Sequence, residues 1–456
     1  MSTPRAGTVD ISLLLLIFLL PSSFQLTPPA IPIGNFYITL VEICLFILLG
    51  HWLLDLLVSG TGYVSPLDKV FSLFLAYLCL SLIFGSQHFG VNKALGDFRQ
   101  YLPLFLYFWV MRFFGFAKDL SRVRQGILNV TIVVAIYVVF IFLFFRGAIA
   151  TRESLAERVF FDNTMLPLMI YGGYVLGIAL MKNEKSHKGF ASILLASNFI
   201  MLIVMQVRTY WIAFAIVIAM ATFNQRRAFF KTAIMVKNAY WVSLILAVTF
   251  LFLTFVPAET ICSQESMTSV KERIESLISF EQTFLGQENT WVTETETVGT
   301  RLATAKVVWN EYVMNSPLFG TGLGGEIPIM SRLGGVVLMK YSIDNGYLTI
   351  LAKFGVIGFA LYGLIIWRLC QMLYRIIVSP FSHDDEKLLA YSFLAGVAAM
   401  LVASFFSSNF IRQQPALVAF LFMLAETSVL QRTVETRRRE SQIQGVPLPR
   451  ITIGRM

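Results

Sequence analysis

Two arginines occupy positions where a fixed positive charge could bind an anion. Arg208 interrupts the apolar run MLIVMQVRTYWIAFAIVIAM; a cation at the centre of the hydrocarbon costs about 3 kcal/mol, so such a residue is a functional-site candidate. Arg301 follows Gly299 and Thr300 at the start of a predicted helix, where a guanidinium and free backbone N–H groups together suit a phosphate. The alternatives are a turn arginine that snorkels to the interface at Arg208 and a solvated surface arginine at Arg301.

A carboxylate that could accept a proton lies at the start of another apolar run. Asp344 and Asn345 directly precede GYLTILAKFGVIGFALYGLIIW. One interpretation is a helix N-cap, because short polar side chains accept a hydrogen bond from the first turn. The other makes Asp344 a general base at the mouth of a membrane cavity. The two interpretations are compatible, since a capping residue can also face a substrate.

The stretch PLFGTGLGGE carries Gly320, Gly322 and Gly325 in the spacing of a dinucleotide-binding fingerprint. That fingerprint requires a preceding buried strand and a following helix, and the sequence shows neither. We therefore predict a flexible turn near the membrane surface.

The composition shows which elements must position these residues. The 456-residue chain is 56% hydrophobic and only 14% charged, whereas soluble domains carry about a quarter charged residues. A membrane span needs about 20 apolar residues, and the sequence predicts an all-α, polytopic membrane protein with about 12 spans. They cover residues 11–26, 36–58, 70–85, 101–116, 127–145, 165–181, 190–205, 209–223, 240–256, 346–367, 388–406 and 415–430.

The distribution of Lys and Arg predicts the orientation. Loops on the cytoplasmic side collect these residues, which places both termini inside and explains the net charge of +9 without nucleic acid as a partner. The predicted organisation is spans 1–9 in residues 1–256, an outer loop domain in 257–345, spans 10–12 in 346–430 and a basic cytoplasmic tail in 431–456.

The outer loop domain is predicted to contain two helices. The first opens at Ser269 with Glu272 three residues later, a capping box. The second starts near Thr300 and ends before Pro317. The apolar stripe of this second helix is predicted to comprise Leu302, Ala305, Val308, Trp309 and Val313.

Three stretches together resemble the O-antigen polymerase and O-antigen ligase superfamily. They are VRTYWIAF, GTRLATAKVVWNEYVMNSPLFGTGLGG and DNGYLTILAKFGVIGFALYG. The resemblance implies a metal-independent, inverting glycosyltransferase without a cofactor, at the periplasmic face of the bacterial inner membrane. Its implied partners are an undecaprenyl-pyrophosphate-linked glycan donor, a glycan acceptor and the lipid bilayer; chain-length regulator and flippase proteins are candidate partners. The first outer loop, QLTPPAIPIGN, has no carboxylate, which also argues against a metal site.

The resemblance assigns roles to individual residues. Family arginines that bind the diphosphate carry over to Arg208 and Arg301, and we expect further help from three arginines on the same face, Arg99, Arg158 and Arg412. The expected general base is Asp344, with Glu311 and Glu326 behind it.

The sequence leaves more than one activity possible. Ligases of the family typically show a His-Asn pair where this chain has Asp344 and Asn345, so the sequence favours a polymerase of O-antigen or exopolysaccharide repeat units over an O-antigen ligase acting on lipid A-core. A lipid-linked oligosaccharide transporter or flippase is the alternative from another class. Transporters of 12 spans usually consist of two related halves, which the single large loop does not fit.

Overall fold

The computed structural model describes residues 30–33, 36–59, 66–113, 124–129, 133, 214–217, 220, 304–330, 337–343, 345–405 and 414–443. This part of the chain is mostly helical. Its helices are α1 (Leu40–Ser59), α2 (Pro66–Phe89), α3 (Val91–Phe98), α4 (Leu106–Phe113), α5 (Gly346–Val378), α6 (Asp384–Ser404) and α7 (Gln414–Ile443). A 3-10 helix, Arg99–Phe105, joins α3 to α4, and Val308–Val313 form a π-helical segment.

Two short antiparallel hairpins accompany the helices. Strand β1 (Ala30–Ile33) pairs with β2 (Phe36–Thr39), and β3 (Ile327–Met330) pairs with β4 (Val337–Lys340). β2 leads directly into α1, where Glu42 accepts hydrogen bonds from the Thr39 N–H and hydroxyl at 2.8 and 3.0 Å. This reciprocal contact is a capping box and fixes the start of the helix.

Four described helices are long and apolar enough to cross a membrane. They are Leu67–Phe89, Gly346–Val378, Asp384–Ser404 and Leu417–Ile443, which confirms the predicted spans 70–85, 346–367, 388–406 and 415–430 as helices. α5 and α7 continue well past the predicted ends. The predicted span 36–58 is described in full: its first four residues form β2, and α1 covers the rest. The other predicted spans lie partly or wholly outside the described residues, as does the predicted helix at Ser269.

The predicted fourth span, 101–116, needs correction at its start. Helical structure begins at Val91 and runs through α3, the 3-10 helix and α4. Gly90, with φ 86°, ends α2, and Pro103 lies inside the 3-10 helix. Sequence hydropathy missed the first turns because Lys93, Asp97 and Arg99 interrupt the apolar pattern.

Aromatic side chains fill the core between α2, α4 and α5. Phe71 stacks on Tyr107 with ring centroids 4.0 Å apart, and Tyr101 meets the edge of Phe354 at 5.5 Å. The Tyr77 hydroxyl donates to the Phe354 carbonyl at 2.7 Å. In a bilayer, where lipid tails are as apolar as these side chains, close packing of the rings and this interhelical hydrogen bond hold α5 against the other helices.

The ion pairs of the described helices divide into two sets at opposite ends. They are Arg99–Glu42, Lys93–Glu326 and Lys353–Asp97 at one end, and Arg112–Asp55, Arg124–Glu426 and Arg437–Glu386 at the other. Since Arg99 pairs with Glu42 and Arg112 with Asp55, α1 and the α3–α4 stretch run in the same direction. The second and fourth predicted spans should do so, because successive spans cross the membrane in alternating directions.

The buried face of the second predicted helix of the outer loop domain differs from the predicted apolar stripe. Residues 304–307 are α-helical and Val308–Val313 are π-helical. Val308 and Val313 are buried, whereas Trp309 is 46% exposed. A π-helix is hydrogen-bonded between residues i and i+5 and has a wider turn than the 3.6 residues of an α-helix, so Val308 and Val313 share a face and Trp309 turns outward. The prediction that Trp309 belongs to the buried stripe was wrong for this reason.

Candidate functional site

Three of the eight predicted site residues lie in the described part of the chain. They are Arg99, Glu311 and Glu326. The other five, Arg208, Arg301, Arg158, Arg412 and Asp344, lie outside the described residues. The three that are described all belong to the end of the bundle where α5 begins.

The Glu326 side chain contacts a cation. Its Oε2 atom lies 2.6 Å from Lys93 Nζ of α3, and its backbone carbonyl accepts a hydrogen bond from the Tyr312 hydroxyl at 2.9 Å. Burial, and secondarily the charge of Glu311, raises the pKa of Tyr312, so this hydroxyl keeps its proton to a higher pH than an ordinary tyrosine does. As a general base, Glu326 would have to share its lone pairs with the Lys93 ammonium.

Glu311 lies on the outer side of the π-helical segment. Its side chain is exposed, and its backbone carbonyl accepts a hydrogen bond from Asn315 Nδ2 at 2.7 Å. The adjacent Tyr312 contacts Glu326, so the two candidate carboxylates belong to one substructure.

Arg99 is held by Glu42 in a two-pronged contact. Its Nη2 lies 2.7 Å from Glu42 Oε2, and its Nε bonds Glu42 Oε1. The Glu42 side chain is only 5% exposed, and that of Arg99 is 36% exposed. This contact ties the start of α1 to the 3-10 helix, and a phosphate would have to share the guanidinium with Glu42.

The residues on both sides of Asp344 are anchored to the first turn of α5. Asn345 is the N-cap, and its side-chain oxygen accepts from the Leu348 N–H at 3.0 Å. Thr349 Oγ1 donates to the Asn345 carbonyl at 2.9 Å and accepts from the Ile343 N–H at 3.3 Å. The capping role considered for Asp344 therefore falls to Asn345.

A buried ion pair at this end was not predicted from the sequence. Lys353 of α5 bonds Asp97 of α3, and their side chains are 1% and 0% exposed. The Gly324 N–H donates to Asp97 Oδ2 at 2.9 Å, and Lys353 Nζ donates to the Gly325 carbonyl at 3.3 Å. The sequence feature that indicates such a pair is Lys353 in the middle of LTILAKFGVIGF, because a charge inside a span requires a partner.

The glycine segment (residues 316–325) is packed rather than loosely held. Gly320, Gly322 and Gly324 have positive φ angles, which confirms a turn. However, a Cβ atom on Gly85 of α2 would lie 1.8 Å from the Leu323 carbonyl oxygen. The segment and α2 thus meet backbone to backbone, and the prediction of a flexible turn is corrected.

A family model matches part of the chain. Residues 190–363 match the family model described as O-antigen ligase. The match confirms the resemblance to the O-antigen ligase and polymerase superfamily. No curated protein matches the chain.

Most of the candidate site residues lie within the matched region. It includes Arg208, Arg301 and Asp344 as well as the glycine segment and Lys353. Asp97, Lys93 and Arg99 precede it, yet the first two contact it directly. The apolar helices and the family match together indicate a multi-pass membrane protein.

Proposed function

We propose that this chain polymerises undecaprenyl-pyrophosphate-linked oligosaccharide repeat units into O-antigen or exopolysaccharide at the periplasmic face of the inner membrane. The observation that carries the proposal is the family match over residues 190–363, which indicates O-antigen ligase or polymerase activity. Both termini are cytoplasmic in this proposal, so the loop domain and the start of α5 face the periplasm.

The reaction is a substitution at the anomeric carbon of the donor sugar. The oxygen of an acceptor hydroxyl attacks that carbon from the face opposite the leaving group, the bond to the pyrophosphate oxygen breaks, and the configuration inverts. The hydroxyl proton passes to a base, and the lipid pyrophosphate leaves with the bonding electron pair. Fixed charges that meet the developing negative charge stabilise this transition state, and removal of one such group commonly costs about 100- to 1,000-fold in rate.

Arg208 and Arg301 are the proposed diphosphate ligands. Arginine suits this role because its planar guanidinium binds two phosphate oxygens at once. Arg158 and Arg412 are proposed as further cations. Arg99 is a weaker candidate, because Glu42 already binds its guanidinium on two nitrogens.

Asp344 is the proposed general base. Asn345 and Thr349 anchor the residues on either side of it, and Asn345 performs the capping. Glu326 is bound to Lys93 and Glu311 is exposed, which ranks both behind Asp344. An aspartate has an ordinary pKa of about 3.9, so a basic Asp344 needs surroundings that raise this value.

The second candidate function is ligation of the glycan to lipid A-core. The description of the matched family, O-antigen ligase, favours it. Polymerisation is preferred because an aspartate precedes Asn345 where the ligases typically have a histidine.

The experiment compares acceptors. The purified chain is incubated with the lipid-linked repeat unit alone, with the repeat unit plus lipid A-core, and with lipid A-core alone. A ladder of lengthened lipid-linked products from the repeat unit alone supports polymerisation. Product only in the presence of lipid A-core indicates the ligase, and no glycan transfer in any reaction contradicts both enzymatic functions.

A further inference from the structure

The apolar helix α5 is interrupted at Gly355, beside the glycine segment. Gly355 has φ 62° and ψ −168°, inside an otherwise helical stretch. A Cβ atom there would lie 2.3 Å from the Leu318 carbonyl oxygen. Only glycine therefore fits both this backbone conformation and this approach.

At the interruption, backbone N–H and C=O groups of α5 form hydrogen bonds with the glycine segment. These contacts run in both directions between the two elements. The bonds are Thr321 N–H to Ala352 C=O at 2.8 Å, Gly322 N–H to Lys353 C=O at 3.0 Å, Val356 N–H to Pro317 C=O at 2.8 Å and Ile357 N–H to Leu318 C=O at 3.2 Å. The break and the segment therefore form one hydrogen-bonded unit.

The position of this unit along the helices sets its depth. The Leu323 N–H donates to the Ser81 carbonyl at 3.2 Å, and Ser81 lies eight residues before the end of α2 at Phe89, about 12 Å along the axis. Residues 352–357 lie six to eleven residues after the start of α5 at Gly346, about 9–16 Å along its axis. Half of the hydrocarbon core is about 15 Å thick. With the end of α2 and the start of α5 taken as the edge of the hydrocarbon, both helices place the segment inside one half of the bilayer.

Non-helical backbone survives at that depth only when its polar groups are satisfied by protein. Every backbone N–H from Gly320 to Gly324 meets this condition. Besides the bonds already given for Thr321, Gly322 and Leu323, Gly320 donates to the Ser316 carbonyl at 2.9 Å and Gly324 to Asp97 Oδ2 at 2.9 Å. The buried Asp97 thus has a role in holding this segment.

The side chains at the tip of the segment are apolar and exposed. Leu318 is 58% exposed and Phe319 is 55% exposed. The Phe319 ring lies 6.5 Å from that of Phe84, which belongs to the exposed apolar face of α2 together with Leu80 and Ile83. The tip therefore continues the surface that a membrane-spanning helix presents to lipid.

We propose that residues 316–325 form a re-entrant segment within the half of the bilayer in which α5 begins, with Leu318 and Phe319 in contact with the acyl chains of bilayer lipids. This inference concerns a lipid-facing surface and does not depend on the reaction that the protein catalyses. It also explains why the segment combines glycines, which permit close backbone contact, with large apolar residues at its tip.

The test measures what the tip contacts. In a background with the four cysteines replaced by serine, Leu318→Cys carries a nitroxide spin label in the full-length protein reconstituted into phosphatidylcholine vesicles. Collisions of the label with oxygen, which concentrates in hydrocarbon, are compared with collisions with a water-soluble nickel chelate. Asn310→Cys, on the exposed side of the π-helical segment, is the control for an aqueous position, and Phe319→Cys is a second variant if the first does not fold.

The proposal predicts that oxygen accessibility at position 318 exceeds nickel accessibility several-fold, with the reverse at position 310. High nickel accessibility at both 318 and 319 would place the tip in water and overturn the proposal. Low accessibility to both reagents would show that protein rather than lipid covers the tip, which also overturns it.

Discussion

The buried pair of Lys353 and Asp97 allows a sharp test of how this end of the bundle is held. Both side chains are almost completely inaccessible, at 1% and 0%, and removal of one member of a buried ion pair costs about 3–5 kcal/mol. We therefore expect Lys353→Met to destabilise the protein by about that amount, because Asp97 keeps its charge and loses its cation. Asp97→Asn should also destabilise strongly, since it leaves the Lys353 ammonium buried without the opposite charge.

The double variant Lys353→Met, Asp97→Asn should lose less stability than the two single variants added together. It removes both charges, and the asparagine oxygen can still accept from the Gly324 N–H. We expect a coupling energy of about 1–3 kcal/mol between the two positions, as is usual for residues in direct contact. Lys93→Met is the matched control, because it removes a lysine from an ion pair whose Lys93 side chain is 52% exposed, and it should change stability little.

The assay is denaturant unfolding of the parent and the four variants in mixed micelles, followed by tryptophan fluorescence. Additive losses from the two single variants would show that Lys353 and Asp97 do not stabilise each other. A Lys353→Met protein as stable as the parent would refute the reasoning outright.

Three further predictions concern other parts of the chain. Asp344→Asn should keep expression and thermal stability yet lose most polymerisation activity. Asp344→His should retain part of that activity, because imidazole can also accept a proton. Full activity of Asp344→Asn would exclude Asp344 as the general base. In a background with the four native cysteines replaced by serine, a cysteine at Glu294 should react with an impermeant maleimide in intact spheroplasts, and one at Arg439 should not; the opposite pattern would invert the topology. Lys93 Nζ donates to Glu326 Oε2 at 2.6 Å, and Glu326→Gln removes the negative charge from this contact, so it should speed acylation of the Lys93 amine. An unchanged rate would contradict this contact.

Hydropathy was sufficient to locate the four membrane-length helices of the described residues but not to define the irregular parts near them. Apolar runs such as those of α5 and α6 are visible in the sequence because lipid requires them. The π-helical segment was missed because nothing in VVWNEYV distinguishes the wider turn of a π-helix from the 3.6-residue turn of an α-helix, so Trp309 was assigned to the wrong face. The N-cap of α5 was ambiguous for a similar reason, because Asp344 and Asn345 are equally good capping residues.

The ion pairs and the packed glycine segment could be predicted only in part. Lys353 is conspicuous within its span, but its partner Asp97 lies 256 residues earlier, and only the tertiary fold brings the two together. The glycine pattern indicated a turn. Its contacts with α2 and α5 are made by backbone atoms, which leave no side-chain pattern in the sequence.

The product length made by Arg301→Ala from the lipid-linked repeat unit tests the central claim most directly. The parent and the variant are compared at matched expression with the repeat unit alone, and Lys93→Met serves as a control for loss of a positive charge elsewhere. The proposed mechanism predicts a ladder from the parent and from Lys93→Met, and a severe loss of lengthened products from Arg301→Ala, because the leaving diphosphate loses a two-pronged ligand. A ladder of parental length from Arg301→Ala would contradict the proposed diphosphate site.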